Sequence, residues 1–291
     1  MSFTTYLESW SPISPKTIVE QMINNNALTE NSRLVLAFAS FNFSGNNYVP
    51  GLENMTLADI QSLTALVKSR KAKISLSIGG QTYPFANSDL YSRPGDLAAN
   101  INAVLSLCGF DSVDFDVEDS YTAVSADFTQ QLASVINTLR SINPGLYITL
   151  TTPAQAWLEG MYVQTLLNLT YGNINAWQPM EYDIWIDPTN TYIEQIQWDI
   201  NYYMKNWSIS PNKIILGLMP GKDDMGHLLG LQDALSLTSF AKTQNLQGLM
   251  TWDATLDSKG IDSNAPYAYT MGIQSLLSKP SYRLTNCCMI S

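Results

Sequence analysis

Asp111-Ser112-Val113-Asp114-Phe115-Asp116-Val117-Glu118 places carboxylates at 114, 116 and 118 in strict alternation with valine, phenylalanine and valine. Successive side chains of a strand point to opposite faces, so Asp114, Asp116 and Glu118 share one face while Val113, Phe115 and Val117 share the other. Three acids on one face repel each other, and the arrangement costs stability unless protons are shared and hydrogen bonds are supplied. Close carboxylates also drive their pKa values apart, which is what an acid catalyst needs. The blander alternative is a strand with a solvated acidic face. The apolar alternate face and the terminal Glu118 argue against it.

Outward from this stretch the chain alternates two kinds of segment. Short apolar or β-branched runs fall at residues 4–7, 34–41, 73–78, 112–117, 146–151, 174–182, 214–218 and 249–252. Helix-like segments lie between them. Residues 57–69 carry Leu57, Ile60, Leu63, Leu66 and Val67 at three-and-four spacing, and residues 127–142 repeat the pattern with Phe128, Leu132, Val135, Ile136 and Leu139. The last helix is expected at residues 266–277. Eight such alternations predict parallel strands with crossover helices closed on themselves, a single (β/α)8 TIM barrel of the α/β class. The length of 291 residues suits one such barrel, which typically takes roughly 250. No repeat, low-complexity run or linker divides the chain, so residues 1–280 are read as the barrel and 281–291 as a tail.

Composition narrows the function classes. Hydrophobic residues at 45% and charged ones at 14% give a globular chain with a large core. A net charge of -10 disfavours a phosphate backbone as ligand, so nucleic acid is not an expected partner; a neutral sugar polymer is compatible with it. Cys108, Cys287 and Cys288 offer neither a disulfide framework nor metal-ligand spacing, and no His or Cys cluster supports a metal. No cofactor is expected. His227, the only histidine, falls in a loop-like Gly/Asp-rich stretch and is given a surface role. The start of the chain lacks the features of a secretory signal, and no run approaches the roughly 18 apolar residues of a membrane span. The sequons at Asn42, Asn54, Asn168 and Asn206 are read as chance in an Asn/Ser/Thr-rich composition. Cys288-Met289-Ile290-Ser291 fits a C-terminal prenylation box, with Cys287 as a second acylation site; coincidence is the alternative. The expectation is a cytoplasmic monomer, held on a membrane if that tail carries lipid.

Asp111, Asp114, Asp116 and Glu118 also match the DxxDxDxE signature of family 18 glycoside hydrolases, the chitinases and endo-β-N-acetylglucosaminidases. Ser77-Ile78-Gly79-Gly80 resembles that family's SxGG strand, Met180-Glu181-Tyr182-Asp183 its MxYD strand, and Gly248-Leu249-Met250-Thr251-Trp252 its final strand. The four segments occur in family order, and the resemblance runs from about residue 3 to about residue 275. It implies hydrolysis of β-1,4 linkages at N-acetylglucosamine, in chitin or chitooligosaccharides, by substrate-assisted retaining catalysis. An endo-β-N-acetylglucosaminidase acting on the chitobiose core of N-glycans, or a catalytically weak lectin, are the alternatives.

Under the resemblance Glu118 is the general acid and then the base, Asp116 orients the substrate acetamide, and Asp114 sits deeper and shares a proton with Asp116. Tyr182 places its hydroxyl on the acetamido oxygen, Asp183 binds a sugar hydroxyl, and Trp252 forms the floor on which the pyranose stacks. Tyr6, Phe41, Gln178 and Met180 are expected to line the pocket. Ser77, Gly79, Gly80 and Asp111 are expected to be structural near it, the glycines by letting backbone approach and Ser77 by hydrogen-bonding the buried acids. Trp252 as core packing, and Tyr182 and Asp183 as cap or turn residues, remain open. Trp10, Trp157, Trp177, Trp185, Trp198 and Trp207 are outer subsites or core, undivided by sequence. About 30 residues, 219–248, separate the last two strands, so an added α+β domain has no room and an open, shallow groove is expected. Asp119, Ser120 and Tyr121 after the acid, and Pro179 and Glu181 around the tyrosine strand, depart from the commonest pattern and weaken any choice of glycan.

Overall fold

A computed structural model describes residues 1–40, 52, 55–81, 83, 85, 93–119, 125–154 and 162–279. Phe41, Trp157, Ser120, Tyr121, Asn42, Asn54, Cys287 and Cys288 lie outside the described residues. The parallel strands β1 (Ser2–Glu8), β2 (Ser32–Ala39), β3 (Lys73–Gly79), β4 (Ser112–Asp116), β5 (Tyr147–Pro153), β6 (Ala176–Met180), β7 (Ile215–Leu218) and β10 (Gly248–Thr251) close into a barrel in that order. This is the expected (β/α)8 barrel. A two-residue antiparallel hairpin, β8 (Gly221–Lys222) and β9 (Leu228–Leu229), projects beyond β7.

Helices α1 (Pro15–Asn24), α2 (Leu57–Ser69), α3 (Pro94–Cys108), α4 (Ala126–Ile142), α5 (Tyr162–Thr170), α6 (Tyr192–Asn206), α7 (Leu231–Thr243), α8 (Ala254–Asp257) and α9 (Ala268–Ser278) follow the strands. Their starts are written in local chemistry. Thr56 with Asp59, and Thr191 with Glu194, form reciprocal capping boxes at α2 and α6, and Ser125 caps α4 through the Phe128 N–H. The residues that gave α2 and α4 their periodicity, Ile60, Leu63 and Val67, and Phe128, Leu132, Val135, Ile136 and Leu139, are buried against the barrel.

Where the chain departs from the expected bounds, the reasons are local. The sixth strand ends at Met180 rather than 182, because Asp183 adopts the left-handed region at φ 54°. The last helix starts at Ala268 rather than 266, after Tyr267 at φ 62°. The hairpin and the one-turn α8 carry too few residues for any periodicity to show. The stretch between β7 and β10 holds the hairpin and α7 and nothing larger.

Candidate active site

β4 runs up the barrel wall between β3 and β5, with Asp114 opposite Ser77 on one side and Thr149 on the other. Those neighbours point the same way as Asp114, since paired strands share pleat phase. Asp114 is fully buried, and both its oxygens are engaged. Oδ2 accepts from the hydroxyls of Tyr6 and Ser77, each at 2.7 Å, and Oδ1 from Thr149 at 2.6 Å, Thr151 at 2.8 Å and the Gln178 amide at 3.3 Å. Burial raises its pKa, and the Thr149, Ser77, Tyr6 and Thr151 hydroxyls pull it back.

Asp116, one pleat higher, is also buried, yet its Oδ1 has no hydrogen-bond partner among the described residues. Burial, then the neighbouring Glu118 and Asp114, raise it well above the carboxylate range. Two such carboxyls in one dry channel keep a proton between them, and the unequal solvation puts that proton on Asp116 and the charge on Asp114. Glu118, just past the end of β4, is half-buried and accepts the Gln81 N–H at 3.1 Å. Burial pushes it up to about 7; the Gln81 N–H works against this, and Asp183 and Asp119 add to it. Asp119, the unusual neighbour, turns inward, where its Oδ2 accepts the Phe85 N–H at 3.1 Å.

The glycines after β3 make room for this. Gly80 donates its N–H to the Asp116 carbonyl at 2.8 Å, and Gly79 and Gly80 sit at φ 106° and 75°. A Cβ on Gly79 would fall 2.1 Å from the Phe85 ring and 2.3 Å from the Asp116 carbonyl oxygen, and one on Gly80 2.5 Å from the Phe38 ring.

Across the cleft, Tyr182 and Asp183 follow β6. Burial, then Asp116 and Glu118, hold the Tyr182 phenol well above its ordinary range, so it remains a hydroxyl donor. Asp183 donates its N–H to Asp223 at 2.9 Å, and its Oδ1 accepts from the N–H groups of Asp224 at 2.7 Å and Met225 at 3.2 Å. The hairpin is thereby fastened to the loop after β6. His227 completes the clasp: its Nδ1 lies 3.0 Å from Asp223 and its ring 5.1 Å from that of Tyr192, and it sits half-buried on the hairpin.

Trp252, Phe38 and Trp10 form an aromatic wall, with ring centroids 5.6 Å apart for Trp252 and Phe38, 5.6 Å for Trp10 and Phe38 and 6.2 Å for Trp10 and Trp252. With Asp116, Glu118, Met180, Tyr182, Asp183, Gln81, Met219 and Asp224 they enclose a cleft of about 190 Å³. The structure thus brings together Glu118, Asp116, Tyr182, Asp183, Trp252 and Met180. Tyr6 and Gln178 are not pocket-lining: both are buried beneath the floor and hold Asp114, and Tyr6 also packs on Trp252 at 5.4 Å. Asp111 is structural but not near the site. It pairs with Lys68 at 3.1 Å and accepts the Ile74 N–H at the opposite end of β4. Thr149 and Thr151 escaped the sequence reading, although their spacing on β5 in phase with the acids of β4 was a usable signal. Phe38 left no such signal. Trp10 is settled as a cleft residue, Trp177 and Trp207 stack in the core at 5.9 Å, and Trp185 and Trp198 are about half exposed.

The sequence profile described as glycosyl hydrolases family 18 matches residues 2–221, most of the chain. The chain belongs to glycoside hydrolase family 18. The family 18 barrel is similar to active domain 2 of a chitinase from Pyrococcus furiosus, solved as catalytic-site mutants complexed with chito-oligosaccharides: TM-score 0.74, 18% identity, covering 98% of this chain and 97% of that one. It is similar to a GH18 chitinase from Pseudoalteromonas aurantia at TM-score 0.74 and 21% identity, covering 95% and 100%. Human YKL-39, described as a pseudo-chitinase with retained chitooligosaccharide binding, superposes at TM-score 0.71 and 14% identity, covering 96% and 100%. A search among curated proteins found no match. At these identities the structural likeness concerns the fold, and this family 18 chain's chemistry has to be argued from its own residues.

Proposed function

We propose that the protein hydrolyses β-1,4 linkages on the reducing side of N-acetylglucosamine in chitooligosaccharides, with retention, using the substrate's acetamide as nucleophile. The observation that carries this reading is Glu118: a carboxyl lifted to about 7, at the mouth of a cleft in which Asp116, two residues before it on the same strand face, is held neutral. A carboxyl near neutrality is poised both to give and to take a proton.

The sugar whose bond breaks stacks on Trp252, its C–H face against the indole. Glu118 donates its proton to the glycosidic oxygen, and the acetamido oxygen attacks the anomeric carbon as that bond breaks. The shortened saccharide leaves as an alcohol, and an oxazolinium ring remains on the bound sugar. Tyr182, a hydroxyl at every working pH, donates to the acetamido oxygen and aligns it. Asp116 accepts the acetamide N–H on its unprotonated oxygen, and the negative charge held on Asp114 beneath it balances the cationic ring. Water then enters the space left by the leaving group. Glu118, now a carboxylate, takes a proton from it, the oxygen bonds to the anomeric carbon on the original face, and the ring opens.

The presence of the acid favours turnover over binding alone. Mass spectrometry of products from chitotetraose and from a high-mannose glycopeptide in parallel tests the reading. Shortened chitooligomers are expected. Release of a glycan that leaves one N-acetylglucosamine on the peptide would instead assign the protein to N-glycan cores, and binding without products from either would make it a lectin.

A further inference from the structure

Tyr182 stands beyond the strand that carries it. β6 ends at Met180, and the Glu181 N–H still reaches the Gly217 carbonyl of β7 at 3.0 Å. From there the backbone turns, with Asp183 in the left-handed region at φ 54°, a costly conformation for a residue that carries a Cβ. The two peptide groups that flank Tyr182 are each held by a side chain from another part of the chain. On one side the Glu181 carbonyl accepts the Tyr192 hydroxyl at 3.0 Å, and on the other the Asp183 N–H donates to Asp223 Oδ2 at 2.9 Å.

His227 joins those two supports. Its Nδ1 lies 3.0 Å from the same Asp223 Oδ2, its backbone N–H donates to Asp223 Oδ1 at 2.7 Å, and its ring packs 5.1 Å from the ring of Tyr192. Burial raises Asp223, yet the Asp183 N–H and His227 outweigh it and hold this carboxyl below its ordinary value, so it is a carboxylate. A carboxylate only accepts, which puts the ring proton on Nδ1 and makes His227 the donor. The contacts run in a circuit from Glu181 through Tyr192, His227 and Asp223 to Asp183, and Tyr182 is the residue enclosed. Tyr182 and Asp183 line the cleft with Asp116 and Glu118. Tyr192, Asp223 and His227 stand behind that lining, so they act on the chemistry through the residues they hold.

We propose that His227 is a positioning residue: through Asp223 and Tyr192 it fixes the peptide groups on either side of Tyr182 and so aims the Tyr182 hydroxyl at the substrate acetamide. The consequence for turnover rests on the acetamide reading above. The placement of Tyr182 does not, and it is measured without substrate. A hydroxyl that aligns the attacking acetamide acts in the bond-breaking step more than in the grip on the chain, so its misplacement lowers kcat more than it raises KM.

The test uses the full chain isotope-labelled on its tyrosine rings, with the Tyr182 NMR cross-peak assigned by its loss in Tyr182→Phe. His227→Phe keeps a ring against Tyr192 and removes the donor to Asp223. It is expected to shift or broaden the Tyr182 cross-peak and to lower kcat on chitotetraose about tenfold or more, with KM within about threefold. His227→Asn, whose side-chain N–H takes the place of Nδ1–H, is expected to restore the cross-peak and most of kcat. In a Tyr182→Phe background, His227→Phe is expected to cost less than about twofold, because its route to the chemistry has gone. Tyr192→Phe removes the other support, is expected to move the same cross-peak, and stands in if His227→Phe folds poorly. An unmoved Tyr182 cross-peak in both phenylalanine variants overturns the proposal, as does a kcat loss that recurs undiminished without the Tyr182 hydroxyl. If the parent does not cut chitotetraose while His227→Phe still moves the cross-peak and His227→Asn returns it, the positioning role stands and the sugar reading falls.

Discussion

Among the described residues Asp114 takes five donors, Glu118 takes the Gln81 N–H, and Asp116 Oδ1 takes none, and that gradient along one strand face decides which carboxyl gives its proton to substrate. Glu118→Gln removes the proton without changing shape. Hydrolysis is expected to fall by about 10²–10⁴-fold while chitooligosaccharide binding persists, read by turnover and calorimetry on the same preparation. The acid must be protonated to work, so with Glu118 near 7 the rate is expected to fall as pH rises above about 7, about tenfold per unit; a profile flat to pH 9 would remove Glu118 from that role. Tyr6→Phe deletes one donor to the buried Asp114 and is expected to cost about 1.5–3 kcal/mol in a denaturant melt, with a lower kcat. The acids could be found in the sequence because a period of two assigns residues to a face. Tyr6 and Gln178 could not be placed because that period gives the face and not the depth. Their positions along their strands put them a layer under the cleft, where they serve Asp114 instead of substrate.

The connections after the strands were less legible than the strands. The eight runs and the capped helices carry repeating signals over many residues, whereas the hairpin β8–β9 is two residues a side, with His227 on Asp223 inside its own turn, and is held by tertiary bonds from Asp183 that no local pattern announces. The Ser77-Ile78-Gly79-Gly80 segment is the exception, because its glycines answer a steric need. Gly79→Ala drives a Cβ into the Phe85 ring and the Asp116 carbonyl at a left-handed φ. It is expected to destabilise the fold by about 2 kcal/mol or more and to lower kcat by displacing Asp116. Gly95→Ala and Gly145→Ala, where an added Cβ meets nothing within 4 Å among the described residues, are expected to leave activity intact and to be neutral or to stabilise by up to about 1 kcal/mol. Equal melting temperatures for the Gly79 and Gly95 variants would refute the steric account.

Across the whole molecule, burial raises the carboxyls of Asp114, Asp116, Glu118, Glu181, Asp253 and Asp257, in the site and away from it. In each case but Asp114, which carries the charge of its pair, the folded state binds a proton that the unfolded chain releases at ordinary carboxylate values of about 4, so stability is fully present below that pH. It is lost as pH climbs to the folded values, about 7 for Glu118 and Asp253. The melting temperature is therefore expected to be several degrees higher at about pH 5 than at about pH 8; the opposite trend in a scanning calorimeter would contradict the burial assigned to these groups. The net charge of -10 acts in the same direction, since acid relieves self-repulsion. The barrel was legible at this scale because eight alternations leave few ways to bury every strand, while the choice of glycan was not, because it depends on the loops that rim the cleft. The most direct test of the central claim is proton NMR of chitotetraose during the first minutes of hydrolysis, with Glu118→Gln alongside. The account predicts that the new reducing ends appear first as the β anomer and that the variant releases none. An initial α anomer, or undiminished cleavage by Glu118→Gln, would contradict it.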